Sequence, residues 1–337
     1  MMGMMLVSVL VLSFLLVAIP NILWFVIWLI AKCFHYALPY APFGWTAFVL
    51  VAFAWLVMAY GFFFGRFKLD INKWEYSHKN IPTAFNGYKI VHISDLHLST
   101  FDDNPKQLKR FVDSINAQNP DLICFTGDLV SLGVEEAEPH IETLKQMKAN
   151  DGIVSILGNH DFIIYRHRSD TTFNRENAVA RLDSLQRNTL GWHLLRNDNF
   201  TIERNGQKIT VIGVDNKNCT NQGFRTIDMG DLPKAMQGTD GFRILLTHDP
   251  SHWRGEVVGQ TDIPLTLCGH THAAQIKLFG WTPASWTFSD TDGRYDEGDQ
   301  TMYINVGLGC TLPIRLGANA EITVITLKNE MSFHKAE

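Results

Sequence analysis

Aspartate, asparagine and histidine residues recur in short motifs that could bind metal ions. The first pair is Asp95 and His97, which stand two residues apart at the end of the apolar run GYKIVHIS. Because side chains along a strand alternate with a period of two, these two residues point to the same side if the strand geometry persists that far. One short element can thereby present two ligands to one metal ion.

Further motifs close other strand-like runs. They are Gly127-Asp128 after DLICFT, Gly158-Asn159-His160-Asp161 after GIVSIL, His248 at the end of FRILLTH, and Gly269-His270-Thr271-His272 at the end of IPLTLCG. Each motif alone is a weak signal, since a Gly-Asp pair often only makes a turn and a lone histidine often lies in a core. Together they predict one shared site, because open α/β sheets place their sites at the carboxyl ends of the strands.

Alternating strands and helices predict the elements that carry these motifs. Strands are expected at 87–94, 121–126 and 152–157, with helices at 105–119 and 140–149, which is typical of parallel βαβ units. The second half predicts a hairpin in 200–214 around the Asn205-Gly206 turn. More strands are expected at 242–248, 263–269, 302–307 and 321–327. We therefore expect two packed sheets with helices outside.

The N-terminal region contains two long uncharged apolar runs, at 4–31 and 46–64. A helix needs roughly 20 apolar residues to cross a hydrocarbon core of ~30 Å, so both runs predict transmembrane helices. A cleavable signal peptide is the alternative; the start MMGMM lacks a basic residue, and the first run exceeds the roughly 7 to 15 apolar residues of such peptides. The predicted organisation is a membrane anchor at 1–65, a linker at 66–86, a main domain at 87–328 and a tail at 329–337.

Charged residues beside the apolar runs predict the orientation in the membrane. Only Lys32 lies between the two runs, whereas Arg66, Lys68, Lys73 and Lys79 follow the second run. Since cations collect on the cytoplasmic side, both termini and the main domain are expected in the cytoplasm. The net charge of -5 argues against a polyanion-binding surface, and a local basic cleft is the alternative. The five cysteines show no paired spacing, which favours reduced thiols.

Taken in order, the motifs resemble those of the calcineurin-like metallophosphoesterase superfamily over residues 87–327. The segments PDLICFTGDL, ILGNHD and GLGCTLPIRLGANAEITVITL are similar to its bacterial membrane-associated branch. Ala273 and Ala274 depart from the pattern, because many relatives have glycines after Gly-His-Thr-His; this departure concerns backbone shape and not the ligands. The resemblance implies an α/β fold, a four-layer αββα sandwich, preceded here by two transmembrane helices in a bacterial inner membrane.

The resemblance also implies two divalent metal ions. One ion would be held by Asp95, His97 and His272, the other by Asn159, His248 and His270, and Asp128 would bridge both. Imidazole, carboxylate and amide ligands together suit manganese, iron, zinc or cobalt better than magnesium or calcium, which prefer oxygen ligands. Manganese is the first expectation.

For activity, the resemblance implies hydrolysis of a phosphodiester or pyrophosphate bond by a hydroxide bound to the two metal ions. His160 would bind the phosphate and protonate the leaving oxygen, and Asp161 would orient the His160 ring; a purely structural pair is the alternative. Arginine binds phosphate in a forked geometry, so arginines near the motifs are candidates for substrate binding. They are Arg166, Arg168, Arg254 and, more weakly, Arg315. The alternative for these arginines is that they belong to ordinary solvated loops.

The membrane anchor favours a lipid-linked phosphate substrate, such as UDP-2,3-diacylglucosamine, whose pyrophosphate some relatives hydrolyse. A broad-specificity phosphodiesterase or phosphomonoesterase acting on soluble substrates would carry the same ligands. A membrane sensor that binds metal without turnover is a third possibility, which the intact ligand set and His160 disfavour. No nucleic-acid partner is expected, because the sequence has no long basic or aromatic groove.

Overall fold

The computed structural model describes residues 2–166 and 173–330. The chain divides into two compact units. The membrane unit comprises the N-terminal residues through Phe67 together with Leu312–Leu316, and the phosphoesterase-like unit comprises the remainder.

The membrane unit contains two long helices, α1 (Met2–Cys33) and α2 (Ala41–Phe63). Both are long and apolar enough to cross a membrane, and few of their apolar side chains are buried. Helix α2 begins earlier than the predicted 46 because Pro42 stands in its first turn, where a proline is tolerated. The two helices contact each other, and the indole N–H of Trp55 donates a hydrogen bond to Ser13 Oγ at 3.0 Å.

The first sheet of the phosphoesterase-like unit has six strands in the order β1-β12-β2-β3-β4-β5. Their bounds are Leu69–His78 (β1), Lys89–Ile93 (β2), Leu122–Phe125 (β3), Ile153–Ser155 (β4), His193–Leu194 (β5) and Ala320–Asn329 (β12). Strands β2 to β5 run parallel, and β12 is antiparallel to β2. The parallel strands bring their carboxyl ends to one edge of the sheet.

The second sheet also has six strands, in the order β10-β11-β9-β8-β7-β6. Their bounds are Asp198–Arg204 (β6), Gln207–Gly213 (β7), Phe242–Leu246 (β8), Leu265–Cys268 (β9), Gly293–Glu297 (β10) and Gln300–Ile304 (β11). Strands β7, β8, β9 and β11 are parallel, and an antiparallel hairpin closes each edge. The β6–β7 turn holds Asn205 at φ 50° and Gly206 at φ 73°, which confirms the predicted hairpin.

In the part of the chain that the structure describes, four α-helices connect these strands: α3 (Pro105–Asn116), α4 (Ile141–Leu144), α5 (Arg175–Ser184) and α6 (Leu232–Ala235). The predicted helix at 105–119 is confirmed, and it buries Leu108, Phe111, Val112 and Ile115. The predicted helix at 140–149 is wrong, since only four residues are α-helical. The backbone beyond it bonds elsewhere instead: the N–H of Lys148 donates to Asn116 Oδ1, and the N–H of Asp151 donates to the carbonyl of Asp121.

The segment 66–86, expected to be a linker, contains the ten-residue strand β1. Strand β1 lies at the edge of its sheet and pairs only with β12, so most of its side chains are exposed. Its charged residues therefore resemble those of a linker. Tyr76 shows that the segment is structural, because its side chain is buried and its hydroxyl donates to the carbonyl of Pro264 at 2.8 Å.

The two sheets face each other across the main hydrophobic core. Ile90 and Val154 of the first sheet pack there with Ile209, Ile244 and Leu267 of the second. A second cluster covers the other face of the second sheet, where α6 and the helical turn Trp253–Val257 pack. Buried on both faces, the central strands are mostly apolar, as in other sheets covered by helices. The predicted αββα sandwich is confirmed.

Candidate metal centre

The predicted ligands follow the carboxyl ends of five strands drawn from both sheets. Asp95 and His97 follow β2, Asp128 follows β3, Asn159 follows β4, His248 follows β8, and His270 and His272 follow β9. All are buried except His270, which is partly exposed. The sandwich therefore assembles in one place residues that are far apart in sequence.

Among the described residues, three overlapping groups of side chains could hold a metal ion, with ligand atoms within 4.8 Å of one another. The groups are Asp95 with His97 and His272, His97 with Asp128 and His160, and Asp128 with His248 and His270. The first and third groups contain ligands that the resemblance assigned to separate ions. Asp128 lies between them: its Oδ2 is 3.1 Å from Nε2 of His248 and 3.6 Å from Nε2 of His97.

The imidazole rings of the third group are oriented for cation binding. Nδ1 of His248 lies 2.7 Å from the carbonyl of Thr126, and Nε2 of His270 lies 3.0 Å from Oε1 of Gln222. Each acceptor fixes the ring proton on the nitrogen that faces it, which is Nδ1 in His248 and Nε2 in His270. The remaining nitrogens, Nε2 of His248 and Nδ1 of His270, face each other at 3.2 Å. Two facing lone pairs repel unless a cation or proton lies between them, so the donor set fits a metal ion.

The first group shows the same arrangement. Nε2 of His97 and Nε2 of His272 face each other at 3.2 Å, and Nδ1 of His97 is 3.1 Å from Ser131 Oγ. Asp95 Oδ1 lies 3.2 Å from Nε2 of His272. A carboxylate beside two imidazole nitrogens is a borderline donor set that suits first-row transition metals.

Asn159 supplies a further acceptor. Its Nδ2 donates to the hydroxyl of Tyr165 at 2.8 Å, and that hydroxyl donates to the carbonyl of Arg225 at 2.5 Å. Within the described part of the chain, no donor reaches the buried Oδ1 of Asn159. A buried amide oxygen without a donor is costly, and metal coordination would satisfy it.

Burial and neighbouring charges shift the pKa values of these groups. Burial lowers the pKa of His97 and of His270, which keeps their rings neutral as metal binding requires. Burial also opposes protonation of His248, but the Asp128 carboxylate beside it raises the pKa of His248 to about 10, so a metal ion bound at Nε2 would have to displace a proton there. In Asp128 the nearby imidazoles outweigh burial and hold its pKa below the usual range.

Several ligand residues have left-handed backbone conformations. Asp95, His97, Asp128, His270 and His272 have φ values of 50°, 37°, 59°, 75° and 50°. Such values are uncommon for residues other than glycine and concentrate at functional sites. The run continues through Ala273 and Ala274, at φ 48° and 49°. These two alanines therefore adopt the conformation that glycine would adopt without strain.

Close packing of the loops depends on two glycines. A Cβ atom at Gly158 would meet Oδ1 of Asp128, and one at Gly269 would meet the side chains of Ser94 and Asp95. Any side chain at either position would push the ligand loops apart. The glycines of the motifs thus permit the approach of the ligands.

Asp161 does not orient the His160 ring, contrary to the predicted role. Nδ1 of His160 is 2.9 Å from the carbonyl of Ser131 instead. Asp161 accepts hydrogen bonds from four backbone N–H groups, those of Asp128, Leu129, Val130 and Gly158, at 2.8 to 3.2 Å. Burial and the Asp128 carboxylate raise the pKa of Asp161 to about 8, while the N–H donors act in the opposite direction. Asp161 therefore fastens the loop after β3 to the loop after β4.

The candidate arginines lie in different environments. Arg166 pairs with Glu135 at 3.2 Å, and Arg254 pairs with both oxygens of Asp290 at 2.8 Å and with Glu297 at 2.8 Å. The carboxylates engage Nε, Nη1 and Nη2 of Arg254, and Nη1 of Arg166. Arg315 is buried and belongs to the membrane unit, and Arg168 lies outside the described residues.

Tyr165 and Gln222 contribute to the site in ways that the motifs do not reveal. Gln222 accepts from His270 and donates to Asp249 at 2.5 Å, and Asp249 also accepts from Asn218 at 3.0 Å. Gln222 lies 48 residues from His270 in a long loop, so no spacing pattern relates them. Tyr165 lies six residues after Asn159, and this short separation is the one sequence signal for the hydrogen bond between them.

Comparisons with known proteins show what this chain is similar to. Residues 88–274 match the family model described as calcineurin-like phosphoesterase. An uncharacterised metallophosphoesterase of Bacillus subtilis, YkuE, is 34% identical over 259 residues, which cover 74% of this chain and 82% of that protein. A transmembrane protein with a metallophosphoesterase domain from Danio rerio is 32% identical over 74% of this chain, and the match spans only 55% of that protein. A solved Thermus thermophilus protein, TT1561, is 13% identical with a TM-score of 0.40, covering 66% of this chain and 90% of that one.

Proposed function

Because the chain belongs to the calcineurin-like phosphoesterase family, we propose that it is a membrane-anchored, dinuclear metal-dependent phosphoesterase that hydrolyses a phosphodiester or pyrophosphate bond of a lipid-linked substrate. The observation that carries the proposal is the position of Asp128 between two groups of buried histidines. This arrangement is what two neighbouring metal ions with one bridging carboxylate require.

The proposed metal ligands are Asp95, His97 and His272 for one ion, Asn159, His248 and His270 for the other, and Asp128 for both. When bound, two divalent ions, with manganese the first candidate and iron, zinc or cobalt the others, lower the pKa of a water molecule and neutralise phosphoryl oxygens. The chain holds the imidazole protons away from these ions through the Thr126 carbonyl and Gln222.

His160 is proposed to protonate the leaving oxygen. Its Nδ1 is held by the Ser131 carbonyl, so Nε2 is the nitrogen left to exchange a proton with the substrate. The His97 and Tyr165 rings fix its orientation, with centroids 4.8 and 4.3 Å away. The imidazole is only partly buried, which allows a substrate to reach it.

The lipid-linked substrate and the location are supported by the membrane unit. Two apolar helices and relatives named as transmembrane proteins support an integral membrane protein. Anchoring restricts the site to substrates near the membrane, such as a lipid-linked pyrophosphate. We propose a bacterial inner membrane with the phosphoesterase-like unit in the cytoplasm, on the charge distribution described above.

The test is phosphate or nucleotide release by the full-length protein purified in detergent with added Mn²⁺. The substrates are bis(p-nitrophenyl) phosphate, p-nitrophenyl phosphate and UDP-2,3-diacylglucosamine, and Asp128→Asn is the matched inactive control. Preference for the lipid nucleotide, lost in the variant, supports the whole proposal. Hydrolysis of soluble esters alone removes the lipid-linked substrate, and no turnover with any of the candidate metals contradicts the enzymatic function.

A further inference from the structure

A loop beside the metal centre exposes an unusual number of large apolar side chains. Within residues 276–288, here called the apolar loop, the side chains of Leu278, Phe279, Trp281 and Trp286 are 52, 108, 47 and 79% exposed. Single exposed apolar residues are common on soluble proteins, but several adjacent ones mark an interaction surface. The loop lies in the phosphoesterase-like unit, outside the two membrane helices.

The conformation of the apolar loop holds these side chains outward. Leu278 and Trp281 exchange two backbone hydrogen bonds of 2.9 and 3.0 Å, with Phe279 and Gly280 at the tip. Phe279 has φ 52°, which is rare for an aromatic residue, and Gly280 has φ 85°. The Trp281 ring packs edge-on against Trp286, with centroids 5.5 Å apart. The tip is therefore a defined turn that presents a phenyl ring to its surroundings.

The apolar loop is joined to the metal centre at both ends. It begins four residues after His272, and the ring of its last residue, Phe288, lies 5.4 Å from the His270 ring. Phe224, which is 46% exposed, lies 6.0 Å from His270 and 6.5 Å from Phe288. Apolar surface therefore lies next to the metal ligands. The apolar group of a phosphate ester could bind there while its phosphate contacts the metal centre.

The chemistry of the loop indicates a lipid bilayer as its partner. Lys277 is its only charged residue and is paired with Asp292, so insertion would bring in no unpaired charge from the loop. Tryptophan is enriched at membrane interfaces, where its amphipathic ring is stable. The two apolar helices of the same chain would tether the protein to such a bilayer.

We propose that the apolar loop inserts into the interfacial region of the bilayer and delivers a membrane-embedded phosphate ester to the metal centre. This inference rests on the proposed function for its catalytic consequence, but the insertion itself is a property of the loop. The substrate class is a phosphate ester or pyrophosphate that carries an acyl or other long apolar chain.

Insertion is tested with a fluorescent label on the full-length protein. Phe279→Cys is labelled with an environment-sensitive fluorophore in a chain carrying Cys33→Ser and Cys219→Ser, since the other cysteines are buried. The protein is reconstituted into phosphatidylethanolamine–phosphatidylglycerol vesicles. Because Met229 is 49% exposed and lies outside the loop, Met229→Cys is the matched control. We expect brominated lipids to quench only the label at 279 and iodide to quench the control more strongly. Equal iodide quenching at both positions would overturn insertion.

The catalytic consequence is tested with Phe279→Asp combined with Trp286→Asp. Both side chains are largely exposed, so the substitutions remove little packing. We expect kcat/KM for a lipid-linked phosphate in vesicles to fall roughly tenfold or more, as expected for the loss of one buried aromatic contact, with bis(p-nitrophenyl) phosphate turnover unchanged. The control is Met229→Asp.

The two tests separate the two proposals. A wild-type protein that hydrolyses neither bis(p-nitrophenyl) phosphate nor the lipid-linked phosphate contradicts the proposed function and leaves the labelling result to decide insertion. Normal turnover with a water-exposed label at 279, or with equal loss on both substrates in the loop variant, contradicts the inference about the loop alone.

Discussion

At the residue scale, His160 differs from the metal-binding histidines around it. Its Nδ1 is held by a backbone carbonyl, whereas the pairs of histidines that face each other direct ring nitrogens at one another. Together with His97 and Asp128, it also forms one of the groups that could hold a metal ion. An experiment must therefore distinguish proton transfer by His160 from metal binding by His160.

We predict that His160→Asn retains both metal ions and loses roughly 10² to 10⁴ in turnover, the usual contribution of general acid catalysis. The loss should be largest for esters with poor leaving groups, because those need the proton most. Metal content by mass spectrometry and kcat for leaving groups of differing pKa measure the two effects. Loss of one metal ion would instead make His160 a ligand.

Tyr165 fixes the orientation of the Asn159 amide, although it holds no metal itself. Replacing it with phenylalanine removes the acceptor for Asn159 Nδ2, so the amide can rotate away. We expect Mn²⁺ affinity to fall roughly 10- to 100-fold, as for other groups that orient metal ligands. Titration calorimetry on chelator-stripped protein measures this.

The matched control for that variant is Tyr88→Phe. Tyr88 also donates a hydrogen bond, to Asp151 at 2.8 Å, but its contacts lie away from the metal centre. It should lower stability without changing Mn²⁺ affinity. Equal Mn²⁺ affinity in Tyr165→Phe and the wild type would show that Asn159 needs no such support.

At the scale of elements, Asp161 joins two of the loops that carry ligands. In the wild type, the N–H groups of Asp128 and Gly158 both donate to Oδ2 of Asp161. Asp161→Asn can place an NH₂ group at that position, opposite these two donors. Leaving such buried donors unsatisfied costs about 2 to 4 kcal/mol of unfolding free energy in all. Thermal and denaturant unfolding followed by circular dichroism in detergent measure the loss.

Asp198→Asn is the control for that experiment, because Asp198 is exposed and its side chain accepts a hydrogen bond from the N–H of the adjacent Asn199. A surface change of this kind should stay within about 0.5 kcal/mol of the wild type. If Asp161→Asn were equally mild, the two loops would be held by the strands alone.

The elements also show which features the sequence predicts. Asn205-Gly206 is a local turn signal, so the hairpin could be located without tertiary information. Strand β1 could not, because an edge strand exposes charged side chains and its pairing with β12 joins residues some 250 positions apart. The short α4 ends where its backbone bonds to a distant loop, which a helical period cannot reveal.

The same distinction holds at the site. The ligand motifs follow strands and could be recognised in order, whereas Gln222 is placed by a long loop with no periodic signal. The role of Asp161 was missed because its partners are backbone N–H groups, which have no signature in a sequence.

At the scale of the whole molecule, orientation in the membrane decides which substrates the site can meet. Lys32, in the last turn of α1, is the one lysine or arginine between the two apolar runs, while Arg66 and Lys68 follow the second helix. Cations of this kind remain on the cytoplasmic side, so the short link is expected outside the cytoplasm. The structure offers a natural reporter for this link, because Cys33 is exposed at the end of α1.

We predict that a membrane-impermeant maleimide added to intact cells labels Cys33 and leaves Cys219 unlabelled. Cys219 is partly exposed in the phosphoesterase-like unit and should react only after the membrane is opened, while the remaining cysteines are buried. Cys33→Ser should abolish labelling of intact cells, which identifies the reacting thiol. Labelling of Cys219 in intact cells would place the metal centre outside the cytoplasm, and a substrate made on the cytoplasmic face would then have to cross the bilayer before hydrolysis.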